Sequence, residues 1–197
     1  MNLKRRIEEA GIDLPEETLE RLEDFKQHLM KWNRIHNLTG AKTVPAVEEQ
    51  IFDSIYPLVF LPPCDTLLDI GTGAGFPGMV LAIAMPDTEC TLCEPLHKRA
   101  SFLGFIAREL GLENVTVEAR RVDALEPRPY DLVTSRAVTD TPTLIEWSRP
   151  FIGGRTHLLF YKGEHVFDEV KSLTHCDFEL ITRDKRNYLW IKDASKC

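Results

Sequence analysis

One short segment constrains the fold of this chain more than any other. Residues 67–78 read LLDIGTGAGFPG: an apolar run ends at Ile70, and four glycines follow within eight positions. An apolar strand that runs through a glycine-rich loop into a helix brings the backbone close to a bound ligand. The segment therefore predicts an α/β fold with a ligand at the carboxyl end of this strand. A dinucleotide, a bare phosphate and S-adenosylmethionine are the candidate ligands.

Short apolar runs alternate with helical segments after Pro63. Seven runs are predicted strands: 66–70, 88–94, 114–120, 130–136, 155–163, 177–184 and 187–193. Helical segments of crossover length follow each of the first five except the third, and the last two runs read as an antiparallel pair. Strands separated by helices are joined as parallel neighbours, with helices on both faces of the sheet. The pattern predicts a doubly wound, mostly parallel, seven-stranded sheet.

The first 63 residues have a helical pattern instead. Leu19, Leu22, Phe25, Leu29 and Trp32 recur at spacings of three and four, which is the apolar face of a helix that begins after Pro15. A second helix is predicted over residues 44–60. We therefore expect an N-terminal helical extension, residues 1–63, and an α/β domain, residues 64–197, that forms one compact unit. The boundary lies near Pro62 and Pro63.

Composition limits the class of protein. The chain has 197 residues, is 43% hydrophobic and contains no apolar run near the roughly 18 residues of a membrane span. No apolar segment follows the basic residues of the N-terminus, so we expect no secretory signal and a cytoplasmic protein without a membrane. The net charge of −7 counts against a nucleic-acid partner, since free-standing nucleic-acid binders usually carry a basic excess.

The five cysteines do not predict a metal site. Cys90 and Cys93 form a single CxxC on a predicted strand, where an odd spacing points the two side chains to opposite faces. No second CxxC is present to complete a set of four thiolates. We expect these cysteines to be buried free thiols in a reducing compartment.

The register of the glycine loop decides between its candidate ligands. Residues 73–78 match G-x-G-x-x-G, but no Lys-Ser/Thr pair follows, which excludes a P-loop. The strand ends before Gly71, so Asp69 lies two residues before the first glycine. A carboxylate there would repel the pyrophosphate of a dinucleotide and suits the cationic end of S-adenosylmethionine.

Two later strand ends add candidate adenosine contacts. Glu94 at the tip of the second strand is placed to accept both ribose hydroxyls, although a solvated strand-end acid is the alternative. Val122 and Asp123 follow the third strand, where an adenine ring would pack on Val122 and donate to Asp123. Asp123 is equally well explained as the N-cap of a short turn.

Taken together, these residues resemble a known family, the bacterial small-subunit ribosomal RNA guanine-N7 methyltransferases, also called glucose-inhibited division protein B. The matching pieces extend over nearly the whole chain: KWNRIHNLT at 31–39, FDSI at 52–55, DIGTGAGFPG at 69–78, KR at 98–99, RVD at 121–123, SRA at 135–137, YKG at 161–163 and Arg186. The glycine loop with an internal Phe-Pro and the WN…NLT helix end are not general features of methyltransferases.

The resemblance implies a class I, Rossmann-like enzyme that transfers a methyl group from S-adenosylmethionine to guanine N7 in 16S ribosomal RNA. The cofactor contacts that it and the loop imply are Asp69, Gly71, Thr72, Gly73, Gly75, Phe76, Glu94, Val122, Asp123 and Arg136. Three features depart from the family: Glu49-Gln50 where many members have Arg-His, Pro95 beside the ribose acid, and a very short loop before Arg186. The first and third bear on how RNA docks.

The chemistry of guanine N7 sets what the site needs. N7 has an in-plane lone pair and no proton, so we expect alignment of the reactants, with Arg136 contributing, rather than a catalytic acid–base pair. Arg121, Lys162 and Arg186 fall at predicted sheet edges and are the expected contacts to RNA phosphates, although solvated strand-end charges are the alternative for any one of them.

Two other functions remain candidates. An NAD-dependent oxidoreductase is disfavoured by Asp69, and a non-catalytic RNA-binding or ribosome-assembly protein is disfavoured by the intact loop and Glu94. We expect a monomer that acts on 16S ribosomal RNA or on the assembling small subunit, with no metal.

Overall fold

The computed structural model of the protein describes residues 3–197. The helices are α1 (Leu3–Glu9), α2 (Glu16–His36), α3 (Val44–Ile55), α4 (Gly78–Ala84), α5 (His97–Glu109), α6 (Thr141–Ser148) and α7 (Val166–Glu169). The strands are β1 (Thr66–Ile70), β2 (Glu89–Cys93), β3 (Val115–Glu118), β4 (Tyr130–Arg136), β5 (Ile152–Lys162), β6 (Phe178–Arg183) and β7 (Arg186–Ile191).

All seven strands form one sheet in the order β3-β2-β1-β4-β5-β7-β6. The first five are parallel, and β7 is antiparallel to both β5 and β6. The predicted doubly wound, mostly parallel sheet is therefore confirmed. The strand order reverses direction between β1 and β4, and in open α/β sheets the crevice at such a point is where ligands bind.

The N-terminal helices begin and end at residues that the local sequence explains. Pro15 precedes α2, and Asn37 ends it in the left-handed conformation that asparagine tolerates. The Thr43 hydroxyl accepts from the Ala46 N–H and caps α3. The helix predicted over 44–60 is shorter than expected, because α3 stops at Ile55 and a 3-10 turn containing Pro57 follows. The seven-residue helix α1 was not predicted.

One apolar core joins the N-terminal helices to the sheet. Phe25 of α2 packs against Phe76 of the glycine loop and Phe102 of α5, with ring centroids 5.5 and 6.5 Å apart. Residues of α1, α2 and α3 are buried in the same cluster as residues of β1, α4 and α5. The division at residue 63 stays a prediction, but the helical segment packs directly behind the glycine loop.

Two of the cysteines are buried free thiols as expected, and two others form a disulfide that was not expected. Cys90 and Cys93 are buried free thiols in the two separate clusters on opposite faces of the sheet. Cys176 and Cys197 are joined in a disulfide, which the sequence did not predict. No cluster of metal-ligating side chains occurs within residues 3–197.

No helix in the described part of the chain is long and apolar enough to cross a membrane.

Candidate active site

A cavity of about 410 Å³ opens at the carboxyl edge of the sheet, a size that suits a small-molecule ligand. Four segments form its walls: the glycine loop, the segment after β2, the segment after β4 and the loop that follows α2. The lining residues are Leu38, Thr39, Gly40, Gly71, Thr72, Gly73, Ala74, Phe76, Glu94, Pro95, Leu96, Arg99, Arg136, Ala137 and Val138. The cavity lies at the topological switch point between β1 and β4.

The glycine loop is shaped to leave space on its cavity side. Gly73 has φ +62°, and apart from Gly73 and its two chain neighbours no described residue has an atom within 4 Å of the position that a Cβ would occupy there. At Gly71, φ is +70° and a Cβ would collide with the Val138 side chain. Both positions need glycine, one for close approach of a ligand and one for contact with the segment after β4. Gly75 lies outside the lining, behind the loop.

Asp69 is fully buried beneath this loop rather than on the cavity wall. Its Oδ2 accepts a 2.7 Å bond from the Gly78 N–H at the start of α4. Its Oδ1 and the neighbouring Thr72 Oγ1 are buried without a hydrogen-bond partner among the described residues. Burial raises the pKa of the Asp69 carboxyl to about 7. A contact between Asp69 and the cationic end of a ligand stays a prediction.

Glu94 is the acid on the cavity wall. It is 3% exposed, and it accepts 2.9 Å bonds from the N–H groups of Gly73 and Leu96 through its two oxygens. These bonds fix the carboxylate against the glycine loop and leave its remaining acceptor sites toward the cavity. The Arg99 guanidinium lies 4.0 Å away. A solvated strand-end acid, the alternative for Glu94, does not describe this buried position.

Arg136 at the end of β4 is the only predicted arginine that lines the cavity. Its guanidinium lies 4.9 Å from the centroid of the Phe76 ring, and its Nη2 donates to Gln50 Oε1 at 3.3 Å. Its Nη1 is buried with no partner within residues 3–197. Burial, and after it the charge of Arg186, lowers the pKa of Arg136 to about 10, so the group stays cationic at neutral pH.

The loop after α2 supplies three residues of the cavity wall, Leu38, Thr39 and Gly40. The buried Asn33 side chain accepts from the Thr39 N–H at 2.9 Å and donates to the Ala41 carbonyl at 3.0 Å. The Arg99 Nε donates to the Leu38 carbonyl at 3.1 Å. Asn33 and Arg99 thus hold Thr39 and Gly40 over the cavity. Asn33 belongs to the WN…NLT segment and Arg99 to the KR pair that carry the family resemblance. These matches are the sequence signal that pointed to both residues.

The predicted residues that follow β3, Arg121, Val122 and Asp123, also lie outside the cavity lining. Val122 is buried in the cluster on the other face of the sheet, and Asp123 is exposed. Asp123 lies inside the 3-10 turn Val122–Ala124, whose N-cap is Arg121, so the N-cap explanation of Asp123 is wrong. Arg121 pairs with Asp123 at 3.0 Å, both side chains being more than half exposed. The expected adenine contacts of Val122 and Asp123 stay predictions.

Lys162 has surroundings that differ from the expected phosphate contact. It is 7% exposed, and its Nζ bonds to Glu169 at 2.7 Å and to the Thr139 carbonyl at 2.9 Å. Glu169 also accepts from the N–H of Thr141 at 2.9 Å. Together these bonds hold the segment after β4, including Val138, against the glycine loop. The ammonium of Lys162 faces the protein instead of solvent.

Arg186 is also paired within the protein. It lies at the carboxyl edge as expected, since β7 is antiparallel, and its guanidinium contacts the buried Asp53 of α3 at 3.1 Å. Arg183 binds the other oxygen of Asp53 at 2.7 Å and Glu49 at 3.2 Å. Glu49 and Gln50 therefore have defined partners here: Glu49 pairs with Arg183 and Arg6, and Gln50 with Arg136.

The fold is that of the Rossmann-like methyltransferases. Solved structures that it resembles include a methyltransferase from Geobacter sulfurreducens, with a TM-score of 0.65, 10% identity and coverage of 86% of this chain and 88% of that one. An O-methyltransferase from Bacillus cereus in complex with S-adenosylhomocysteine has a TM-score of 0.63 and 12% identity, covering 86% and 91%. A Rossmann-like methyltransferase with a glycine-loop cavity and a buried acid on the cavity wall is the class that the fold and the site define.

The sequence then identifies the family. The family model described as GidB, rRNA small subunit methyltransferase G, matches residues 18–187, and the chain belongs to this family. A relative named ribosomal RNA small subunit methyltransferase G, from Wolinella succinogenes, is 52% identical over 170 residues, covering 86% of this chain and 88% of the relative. A protein of the same name from Aliarcobacter butzleri is 38% identical, covering 96% and 98%.

Proposed function

We propose that this protein transfers the methyl group of S-adenosylmethionine to N7 of a guanine in 16S ribosomal RNA. Family membership supports a methyltransferase of small-subunit ribosomal RNA. The observation that carries the site assignment is the cavity between Gly73 and Glu94, where the backbone leaves space and a buried carboxylate faces it. We place the protein in the cytoplasm as a monomer.

The residues of the cavity fit the cofactor. The open side of Gly73 admits the methionine part and the ribose, and Glu94 keeps acceptor sites for the two ribose hydroxyls. Thr72 and Asp69 lie under the same loop, and a ligand that carries ammonium and sulfonium charges would favour the ionised form of Asp69, whose pKa burial raises to about 7. S-adenosylmethionine supplies an electrophilic methyl group on a cationic sulfur when it is bound.

The chain's own task in the reaction is alignment. Guanine N7 attacks through a lone pair that carries no proton, so no side chain has to remove one. The buried Arg136 is held by Gln50 and by the Phe76 ring, with Nη1 free to donate to an acceptor on the base. Guanine O6 is the acceptor beside N7, and a donor on O6 orients the base while it leaves the N7 lone pair unoccupied.

The test is transfer of a tritiated methyl group to RNA from cells that lack this modification. Deproteinised 16S ribosomal RNA and whole small subunits are offered separately, and the labelled base is mapped. We expect label in 7-methylguanine at one position. No label in either substrate would contradict the proposal, and RNA binding without transfer would support the non-catalytic alternative.

Gly73→Val supplies the matched loss-of-site variant. A β-branched side chain at φ +62° fills the open space and strains the backbone, so we expect cofactor binding and methyl transfer to be abolished while the fold survives. Calorimetry with S-adenosylhomocysteine measures the first, and circular dichroism checks the fold. Gly154→Val, at an exposed glycine in the amino-terminal part of β5, is the control and should bind normally.

A further inference from the structure

The net charge of −7 hides a local excess of positive charge beside the cavity. Lys31 and Arg34 lie in the last turns of α2, Lys42 lies in the loop that follows, and Lys98 lies in the first turn of α5. All four side chains are exposed. In the chain from residue 3 onward, none of the four makes an ion pair or a side-chain hydrogen bond. They are therefore cations that the protein itself does not use.

Three of these cations line a depression on the surface of α2. Arg34 and Lys42 border a hollow of about 230 Å³ together with Met30, Asn33 and Asn37. A second hollow alongside shares Met30 and Arg34 with the first and adds Lys31. We call the residues Met30, Lys31, Arg34, Asn37 and Lys42 the basic groove. The one acid on its border, Glu23, is bonded to Lys26 at 2.6 Å, which leaves the groove with a net positive charge.

The basic groove and the cofactor cavity share one short loop. Leu38, Thr39 and Gly40 line the cavity, while Asn37 and Lys42 at the two ends of the same loop line the groove. The Asn33 side chain fixes the loop through its bonds to Thr39 and Ala41. A chain lying in the groove would therefore be held next to the cavity mouth by a loop with a defined shape.

We propose that the basic groove binds the phosphate backbone of the substrate RNA next to the target guanine, an inference that rests on the proposed function. Its chemistry suits RNA, since exposed lysine and arginine side chains without acidic partners neutralise phosphates and release counterions. The exposed Asn37 amide adds donors for phosphate or ribose oxygens. Lys98 precedes Arg99, which donates to the Leu38 carbonyl of the same loop, and extends the exposed positive charge onto the start of α5.

The same feature explains how a chain of acidic composition meets RNA. Lys162, Arg183 and Arg186 at the sheet edge are bonded to Glu169, Glu49 or Asp53 and serve the architecture of the site. The cations of the basic groove are exposed, lie beside the cavity and have no partner among the described residues, so they are available for phosphates. RNA docking is thereby assigned to the N-terminal helical segment, and methyl transfer to the edge of the sheet.

The experiment measures the salt dependence of RNA binding by the full chain. Deproteinised 16S ribosomal RNA is titrated with S-adenosylhomocysteine present, at several potassium chloride concentrations, for the wild type and for Arg34→Ala/Lys42→Ala. Each lost phosphate contact lowers the slope of log K against log salt by about 0.7 to 0.9, so the double variant should lose about 1.5. We expect affinity near 0.1 M salt to fall about tenfold and the affinity for S-adenosylhomocysteine to change less than twofold.

Arg108→Ala/Arg155→Ala is the matched control. It removes the same charge from two exposed side chains, one in the last turn of α5 and one in the amino-terminal part of β5, away from the cavity edge. Its slope should equal that of the wild type. Equal slopes for the two double variants would overturn the groove proposal.

Two further outcomes separate the possible failures. A groove variant that binds RNA normally but no longer methylates whole subunits would mean that the groove faces a ribosomal protein, which would also overturn the proposal. A wild type that neither binds nor methylates RNA would overturn the proposed function itself. If the wild type methylates RNA and only the groove result fails, the function stands and the docking surface is wrong.

Discussion

Two sets of charged side chains surround the cavity, and they differ in what they contact. The set at the carboxyl edge of the sheet, Glu94, Lys162, Arg183 and Arg186, is bonded to backbone N–H groups, a backbone carbonyl or opposite charges of the protein. The second set consists of the cations of the basic groove and Lys98. These side chains are exposed and make no such bonds to the described residues. The charges of the first set hold the site together, whereas those of the second set are left for a partner.

The largest effect that tests this difference is the loss of Asp53. Asp53→Ala leaves Arg183 and Arg186 near a buried position without their shared carboxylate, which should lower the free energy of unfolding by about 3 kcal/mol. Urea denaturation measures the change. Glu9→Ala, which breaks an exposed pair with Arg5, is the control and should cost less than about 1 kcal/mol. Equal costs would mean that the Asp53 pairs do not hold the β6–β7 hairpin to α3.

Glu94→Ala comes next in size and acts on the cofactor. The substitution frees the Gly73 N–H and removes the charge-assisted bonds that we propose Glu94 makes to the ribose, so we expect the free energy of S-adenosylmethionine binding to weaken by about 2 kcal/mol. Isothermal titration calorimetry measures it. Glu118→Ala, at the end of the neighbouring strand and outside the cavity lining, should bind as the wild type does. An unchanged affinity in Glu94→Ala would remove this acid from the site.

A smaller effect follows from the raised pKa of Asp69. The folded protein keeps a proton on Asp69 up to about pH 7, whereas the unfolded chain releases it near pH 4. Stability contributed by this group is therefore present at low pH and is lost as pH rises toward and through 7. Asp69→Asn should reduce the loss of stability between pH 6 and pH 8 by about 1.4 kcal/mol. Parallel pH profiles of the free energy of unfolding would contradict the buried, protonated state.

The contrast between the two sets also shows which parts of the site could be predicted from the sequence. The seven strands and the placement of Glu94 and Arg136 on the cavity wall were predictable, because each follows from an apolar run and from the residue just after it. The ion pairs of Lys162, Arg183 and Arg186 at the edge of the sheet were not predictable in the same way. Lys162 pairs with Glu169, but Arg183 and Arg186 pair with Asp53 of α3, 130 and 133 residues away, and no local pattern reports such a partner.

The N-terminal segment was less predictable for a related reason. The helix α1 has only seven residues and depends on burial of Leu3 and Ile7 in the shared core, so its own periodicity is too short to identify it. The cavity wall formed by Thr39 and Gly40 depends on the side-chain hydrogen bonds of Asn33. The basic groove depends on which lysines and arginines have no acidic neighbour in the folded chain. Each is a property of the folded arrangement and not of the spacing.

A direct comparison of the two sets tests the central claim. RNA binding is measured against salt concentration for Lys162→Ala/Arg186→Ala and for Arg34→Ala/Lys42→Ala, with thermal melting used to confirm that both variants are folded. Each variant removes two positive charges, so the difference between them reports only where the charges lie. We predict that the slope of log K against log salt falls by about 1.5 for the groove variant and stays at the wild-type value for the edge variant. A fall in the edge variant with no change in the groove variant would contradict the account.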